Sequence, residues 1–212
     1  MNILVNKLPT KVHVGGREFE VNYGFKAFIL VELCFSSKER SDYQKQMDAL
    51  NLFYKGNIPD DIVKATEKLI WFYRCGKQDR ATNKTAAAKK AVRAYDFEQD
   101  QYLIYAAFKQ QYGISITELK NEDMHWWEFR ALFDGLTDTT HFGKVMAFRT
   151  IDISNMKGSQ RKYYQSMKSL YSLRDESESV DSKMALAKRD AEMKAYIERR
   201  YKEVGNVVKS SN

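Results

Sequence analysis

"MHWWEFRALFDGL", residues 124–136, places a histidine, two adjacent tryptophans and an arginine within six residues. On a helical wheel at about 100° per residue, Trp126, Phe129, Leu132, Phe133 and Leu136 fall in one arc of about 120°, the width expected of a core-facing stripe. His125 shares that arc. No Ser, Cys or carboxylate stands out as its partner, so it reads as a semi-buried, hydrogen-bonded histidine rather than a catalyst. Trp127 points to a different flank, together with Arg130, Ala131 and Asp134. A Trp beside an Arg is the composition favoured at interface hot spots, which makes Trp127, Arg130 and Asp134 the candidate partner-binding residues. Packing of Trp127 against another helix of the same domain is the competing reading.

On the amino-terminal side of this helix the pattern stays helical back to Tyr23. Gly24 to Phe35 and Ser41 to Tyr54 are helical stretches, with Ser41 a plausible N-cap. After Pro59 and the acidic pair Asp60-Asp61, the residues Ile62, Leu69 and Tyr73 form one apolar stripe that stops at Gly76. Asp96 and Gln99 resemble a capping pair, followed by Phe97, Ile104, Tyr105, Phe108 and Tyr112 until Gly113 ends the helix. Only the amino end speaks for strands. In "TKVHVGGREFEV", residues 10–21, two alternating runs flank Gly15-Gly16, a dipeptide that supplies positive φ for a two-residue turn. That register pairs Val14 with Arg17, Val12 with Phe19 and Thr10 with Val21. Val12, Val14, Phe19 and Val21 then share one face, with Lys11 opposite Glu20 and His13 opposite Glu18 on the other. A third strand from "NILVN" would extend the sheet.

Beyond the quoted helix, Gln160 to Leu173 is still aromatic, whereas Arg174 to Asp181 is polar. Ser182 to Val204 reads as a charged helix with a thin stripe of Leu186, Met193, Ile197 and Val204. The fold class expected is mainly α. A helical body spans residues 23–173 and contains a basic connector near 77–95; a small β-hairpin precedes it over 1–22, and a linker with a protruding charged helix follows over 174–212.

With 212 residues and 43% hydrophobic content, the chain is long enough for an ordinary packed core. The two cysteines, Cys34 and Cys75, each lie in an apolar helical pattern with no CxxC or histidine pair nearby, so they read as small core residues. The longest apolar run, "AFILVELCF", is far short of the roughly 20 residues that span a bilayer and contains Glu32. No signal-peptide layout opens the chain, and the expected location is the host bacterial cytoplasm. The net charge of +7 sits in two blocks, Lys77 to Tyr95 and Lys144 to Lys168. Neither follows a recognition-helix, zinc-finger or RRM pattern, so solvated faces are expected and nucleic acid is disfavoured.

Enzymatic chemistry has little to work with. The three histidines are scattered, and GxSxG, HExxH, GxxxxGK[ST] and GxGxxG are all missing. The expectation is a non-enzymatic protein with no catalytic, cofactor-binding or metal-binding residues.

Three stretches carry a resemblance: "LPTKVHVGGREFEVNYGFKAFILVE", "YGISITELKNEDMHWWEFRALFDGL" and "FRTIDISNMKGSQRKYYQSMKSLYSL". Together they resemble a family of small bacteriophage tail-module proteins from phages and prophages of Gram-positive hosts, usually encoded just before the tape-measure gene. They cover most of residues 7–173, and the His-Trp-Trp-x-Phe-Arg-Ala-Leu core is the specific part. The resemblance implies a tail assembly chaperone that coats the helical tape-measure protein and helps the tube protein polymerise around it. Its implied partners are the tape-measure protein and, beyond it, the tail tube protein, a companion chaperone or a second copy of the chain. Two other readings stay open: a basic nucleic-acid-binding phage protein, and a structural subunit retained in the virion tail. Covering exposed helices reversibly calls for helix-in-groove contacts on adaptable aromatic and methionine-rich surfaces. The chain carries eight Met, three Trp, thirteen Tyr and twelve Phe.

Overall fold

A computed structural model describes residues 2–77 and 93–174. The chain falls into two compact units, residues 1–171 and 172–212, and every element named below belongs to the first. The stretch 78–92, most of the expected basic connector, and the expected charged helix after Arg174 lie outside the described residues.

The fold is mainly α with a small amino-terminal hairpin. Strands β1 (Lys11–Val14) and β2 (Arg17–Glu20) pair antiparallel in the predicted register, Val12 with Phe19 and His13 with Glu18. Gly15 and Gly16 take the positive φ values, 58° and 81°, that a two-residue turn demands. Val12, Val14 and Val21 are buried, and the other face carries the exposed Lys11–Glu18 pair at 2.8 Å. "NILVN" forms no third strand. Asn2 instead folds the segment into a turn, its side chain accepting from the Leu4 amide and its carbonyl from the Asn6 amide, so those groups are lost to a ladder.

Seven helices follow among the described residues: α1 (Phe25–Ser36), α2 (Asp42–Phe53), α3 (Ile62–Tyr73), α4 (Gln101–Tyr112), α5 (Trp126–Asp134), α6 (His141–Thr150) and α7 (Gly158–Leu170). Their ends are written in local chemistry. Ser41 and Gln44 form a capping box at α2, Asp61 accepts from the Lys64 amide at α3, and Thr140 accepts from the Gly143 amide at α6. Gly113, left-handed at φ 72°, closes α4 as expected. Asp96 does cap, but it caps a turn: its carboxylate accepts from the Glu98 and Gln99 amides, and α4 begins only at Gln101. On α3 the buried face is Ala65, Leu69 and Phe72, with Ile62 and Tyr73 at its margins. Cys34 is buried in α1, whereas Cys75 lies past the end of α3 in a left-handed conformation at φ 56°.

The core is aromatic and centres on α5. Trp126 stacks on Phe28 at 5.0 Å, and Phe129 stacks on Phe25 at 5.2 Å and on Phe108 at 5.1 Å, so one helix meets α1 and α4 together. A short antiparallel bridge from Gly24 to His125 holds the starts of α1 and α5 side by side. Two of the amides that the start of α1 leaves without partners are satisfied here: Phe25 donates to the Met124 carbonyl through the bridge, and Ala27 donates to the Asn121 side chain beside it. Gly24 is required there, because a Cβ would stand 2.0 Å from the Asn121 carbonyl oxygen. No helix among the described residues is long and apolar enough to cross a membrane.

The second basic block is less solvated than expected. Arg149 is buried and forms a two-pronged pair with Asp100, at 2.6 and 2.9 Å, with side-chain exposures of 4% and 2%. A charge inside the protein needs such a partner, and this one spans α4 and α6.

Candidate functional site

The three residues expected to meet a partner have different fates. Trp127 is 4% exposed, and its indole N–H donates to the Phe72 carbonyl at 2.8 Å. The wheel's placement of Trp127 off the core is therefore corrected: α3 covers that flank as a second layer, with Trp71 edge-on at 5.6 Å. The neighbouring indole, Trp126, donates to the Tyr73 carbonyl at 2.9 Å. The adjacent tryptophans thus serve two successive carbonyls in the last turn of α3, where helical partners run out. Arg130 stays half-buried across the rings of Trp126 and Phe133, donating to the Tyr95 hydroxyl at 2.9 Å and to Asp134 at 2.8 Å. Asp134 remains exposed as the other half of that pair.

His125 is buried, as its place in the arc suggests, but it precedes the helix and caps it. Its Nδ1 accepts from the Trp127 amide, Nε2 lies 3.0 Å from the Pro9 carbonyl, and Glu128 completes the capping box. That pattern assigns the proton to Nε2 and requires a neutral ring. Burial pushes the imidazole below its ordinary value of 6.5, against the raising influence of the Pro9 carbonyl and Glu128. The unfolded ring takes a proton near pH 6.5 and the folded ring only lower. This stabilisation is therefore fully present above about pH 6.5 and is lost as the pH falls from there through the folded value, by at most about 1.4 kcal/mol per pH unit. Urea melts at pH 7.5 and 5.5 should show the loss in the wild type and a smaller one in His125→Asn, whose side chain can still cap. Equal losses in both would remove His125 as the titrating group.

A different surface stands out for binding. "AFILVELCF" is apolar at every position but Glu32, so apolar side chains occupy most of the helix circumference, a pattern that fits a helix covered on nearly every side. Among the described residues α1 is covered on the side of Phe25, Ala27, Phe28, Val31 and Cys34, which are buried; on the other side Leu30 is 50% exposed with Ile29 and Leu33 half-buried, and Phe35, at the helix end, is 51% exposed. Leu33 borders two clefts. One, of about 320 Å³, is lined by Glu32, Ser36, Tyr73, Arg93, Tyr95 and Phe97 among others. The second, of about 620 Å³, lies toward α2 and includes Leu30, Glu39, Arg40, Asp48 and Leu52. Arg130 reaches this surface only from behind, by holding the hydroxyl of Tyr95.

The charges around the clefts are unequally matched. Arg93 pairs with Asp96 at 2.7 Å and Arg40 with Asp48 at 2.6 Å. Glu32 accepts a hydrogen bond from the Tyr73 hydroxyl. Burial first, then the nearby Glu32 carboxylate, pushes the Tyr73 hydroxyl far above its ordinary value of 10.0, so it remains a neutral donor. Burial likewise raises Tyr95. The sequence reading missed these residues, although "AFILVELCF", apolar at every position but Glu32, was the available signal.

Comparison with protein families finds a match to the family described as Bacteriophage Gp15 protein over residues 4–173. Comparison with curated proteins and with solved structures finds no match. The matched span takes in the hairpin, all seven described helices and both clefts beside α1, and the chain belongs to the Bacteriophage Gp15 protein family.

Proposed function

We propose that the protein is a non-enzymatic phage tail assembly chaperone that covers helical segments of the tape-measure protein before the tail tube encloses them. The family is a bacteriophage one, and the sequence resembles tail-module proteins encoded beside the tape-measure gene. The observation that carries the reading is the outward side of α1, left uncovered by the described residues, where Leu30 is half exposed beside the partly buried Ile29 and Leu33. Large apolar side chains grouped on one face of a folded domain mark sites of protein association. A tape-measure chain awaiting its tube exposes amphipathic helices that need such cover.

Co-expression with a tape-measure fragment tests this directly. The fragment should move from the pellet to the soluble fraction and co-purify with the protein. A fragment that is no more soluble and does not co-purify would overturn the reading. Finding the protein in purified virions would favour a structural subunit instead.

A further inference from the structure

We propose that the α1 surface selects a cationic amphipathic helix: apolar side chains lie on Leu30 and Leu33, and lysine or arginine side chains enter the two flanking clefts beside Glu32 and Glu39. This deepens the chaperone reading and rests on it for the identity of the natural partner, but the chemistry of the surface stands by itself.

The argument is one of charge and volume. Each cleft contains an arginine already matched by an aspartate, Arg93 with Asp96 in one and Arg40 with Asp48 in the other. Each also contains one more carboxylate, Glu32 and Glu39, which have no cationic partner among the described residues. Both clefts therefore carry an excess negative charge on either side of an apolar strip. A helix without basic residues would strip water from Glu32 without replacing it, which is costly for a carboxylate. An acidic helix or a nucleic acid would be repelled.

The smaller cleft, about 320 Å³, sits at the lower limit of about 300–1,000 Å³ typical of small-molecule pockets. Its volume and lining suit a single long side chain. Leu33 and Phe97 line it for an aliphatic stem, Glu32 for the charged head, and the rings of Tyr73 and Tyr95 are of the kind that attract a cation. Specificity then comes from the carboxylates and affinity from the strip.

The test uses the full chain and three probes: a tape-measure fragment, and two synthetic amphipathic helices with the same leucine face, one with a lysine polar face and one with a glutamate face. The lysine-faced peptide should bind at least about tenfold more tightly than its glutamate counterpart. Leu30→Asp should weaken it by about tenfold or more. Glu32→Gln combined with Glu39→Gln should weaken it similarly and flatten its salt dependence, while the amide oxygen introduced by Glu32→Gln still accepts from the Tyr73 hydroxyl. Val63→Asp, on the outward side of α3, serves as the control and should leave binding within about twofold. Thermal melts confirm that each variant is folded. Equal binding of both peptides, or undiminished binding by Leu30→Asp or by the double glutamine variant, would overturn the proposal. The tape-measure fragment separates the two levels. If the lysine peptide binds as described and the fragment does not, the surface stands and the chaperone reading fails. If the fragment binds the wild type and all variants equally, the chaperone reading stands and the α1 surface fails.

Discussion

Trp126→Ala and Trp127→Ala should each cost about 3–5 kcal/mol, enough to unfold much of a marginally stable domain. Trp126 is fully buried, stacked between Phe28 at 5.0 Å and Phe129 at 5.7 Å. Trp127 is nearly so, wedged against Phe72 and Trp71 at 5.6 Å each. Each truncation leaves a large cavity and also removes an indole donor from a carbonyl of the last turn of α3. Trp→Phe should recover most of the packing and leave the loss of the hydrogen bond, about 1–3 kcal/mol. Urea melts of the four variants check this. A Trp127→Ala protein within about 1 kcal/mol of wild type would contradict the core position of that ring and restore the flank reading drawn from the wheel.

The second large effect lies at the buried ion pair. Asp100→Ala or Arg149→Ala should each destabilise the fold by about 3–5 kcal/mol, because either leaves its partner charged in a place water does not reach. Arg149 also donates to the Ala94 carbonyl at 3.0 Å and to the Tyr171 carbonyl at 2.5 Å, so it ties α4 and α6 to the segments beside them. Replacing both residues together, Asp100→Ala with Arg149→Ala, should cost much less than the sum of the single changes. A double-mutant cycle by chemical denaturation reads the difference. Additive losses would show that the two groups do not depend on each other.

What the chain discloses before folding divides along physical lines. Interactions between near neighbours are legible: the Gly15-Gly16 hairpin and its register, the Ser41 cap, the stop at Gly113, and the Trp126–Phe129–Phe133 stripe. Each follows from backbone geometry or from periodicity within one element. What fails depends on a second layer. A wheel drawn for α5 cannot see α3, so it places Trp127 outside the core. Arg149 reads as one more solvated cation because Asp100, its partner, is 49 residues away in sequence. The α1 surface is hidden for the opposite reason. A run apolar at every position but Glu32 says that both sides of a helix want cover, and only the fold reveals that the described residues leave Leu30 half exposed.

Amide hydrogen exchange on the protein, alone and with a bound tape-measure fragment, tests most directly whether α1 is the binding surface. Binding should slow exchange along Phe25–Ser36 and in the adjoining part of α2 around Asp48–Leu52, with α7 and the hairpin unchanged. Protection confined to α3 or α7, with α1 exchanging as in the free protein, would contradict it.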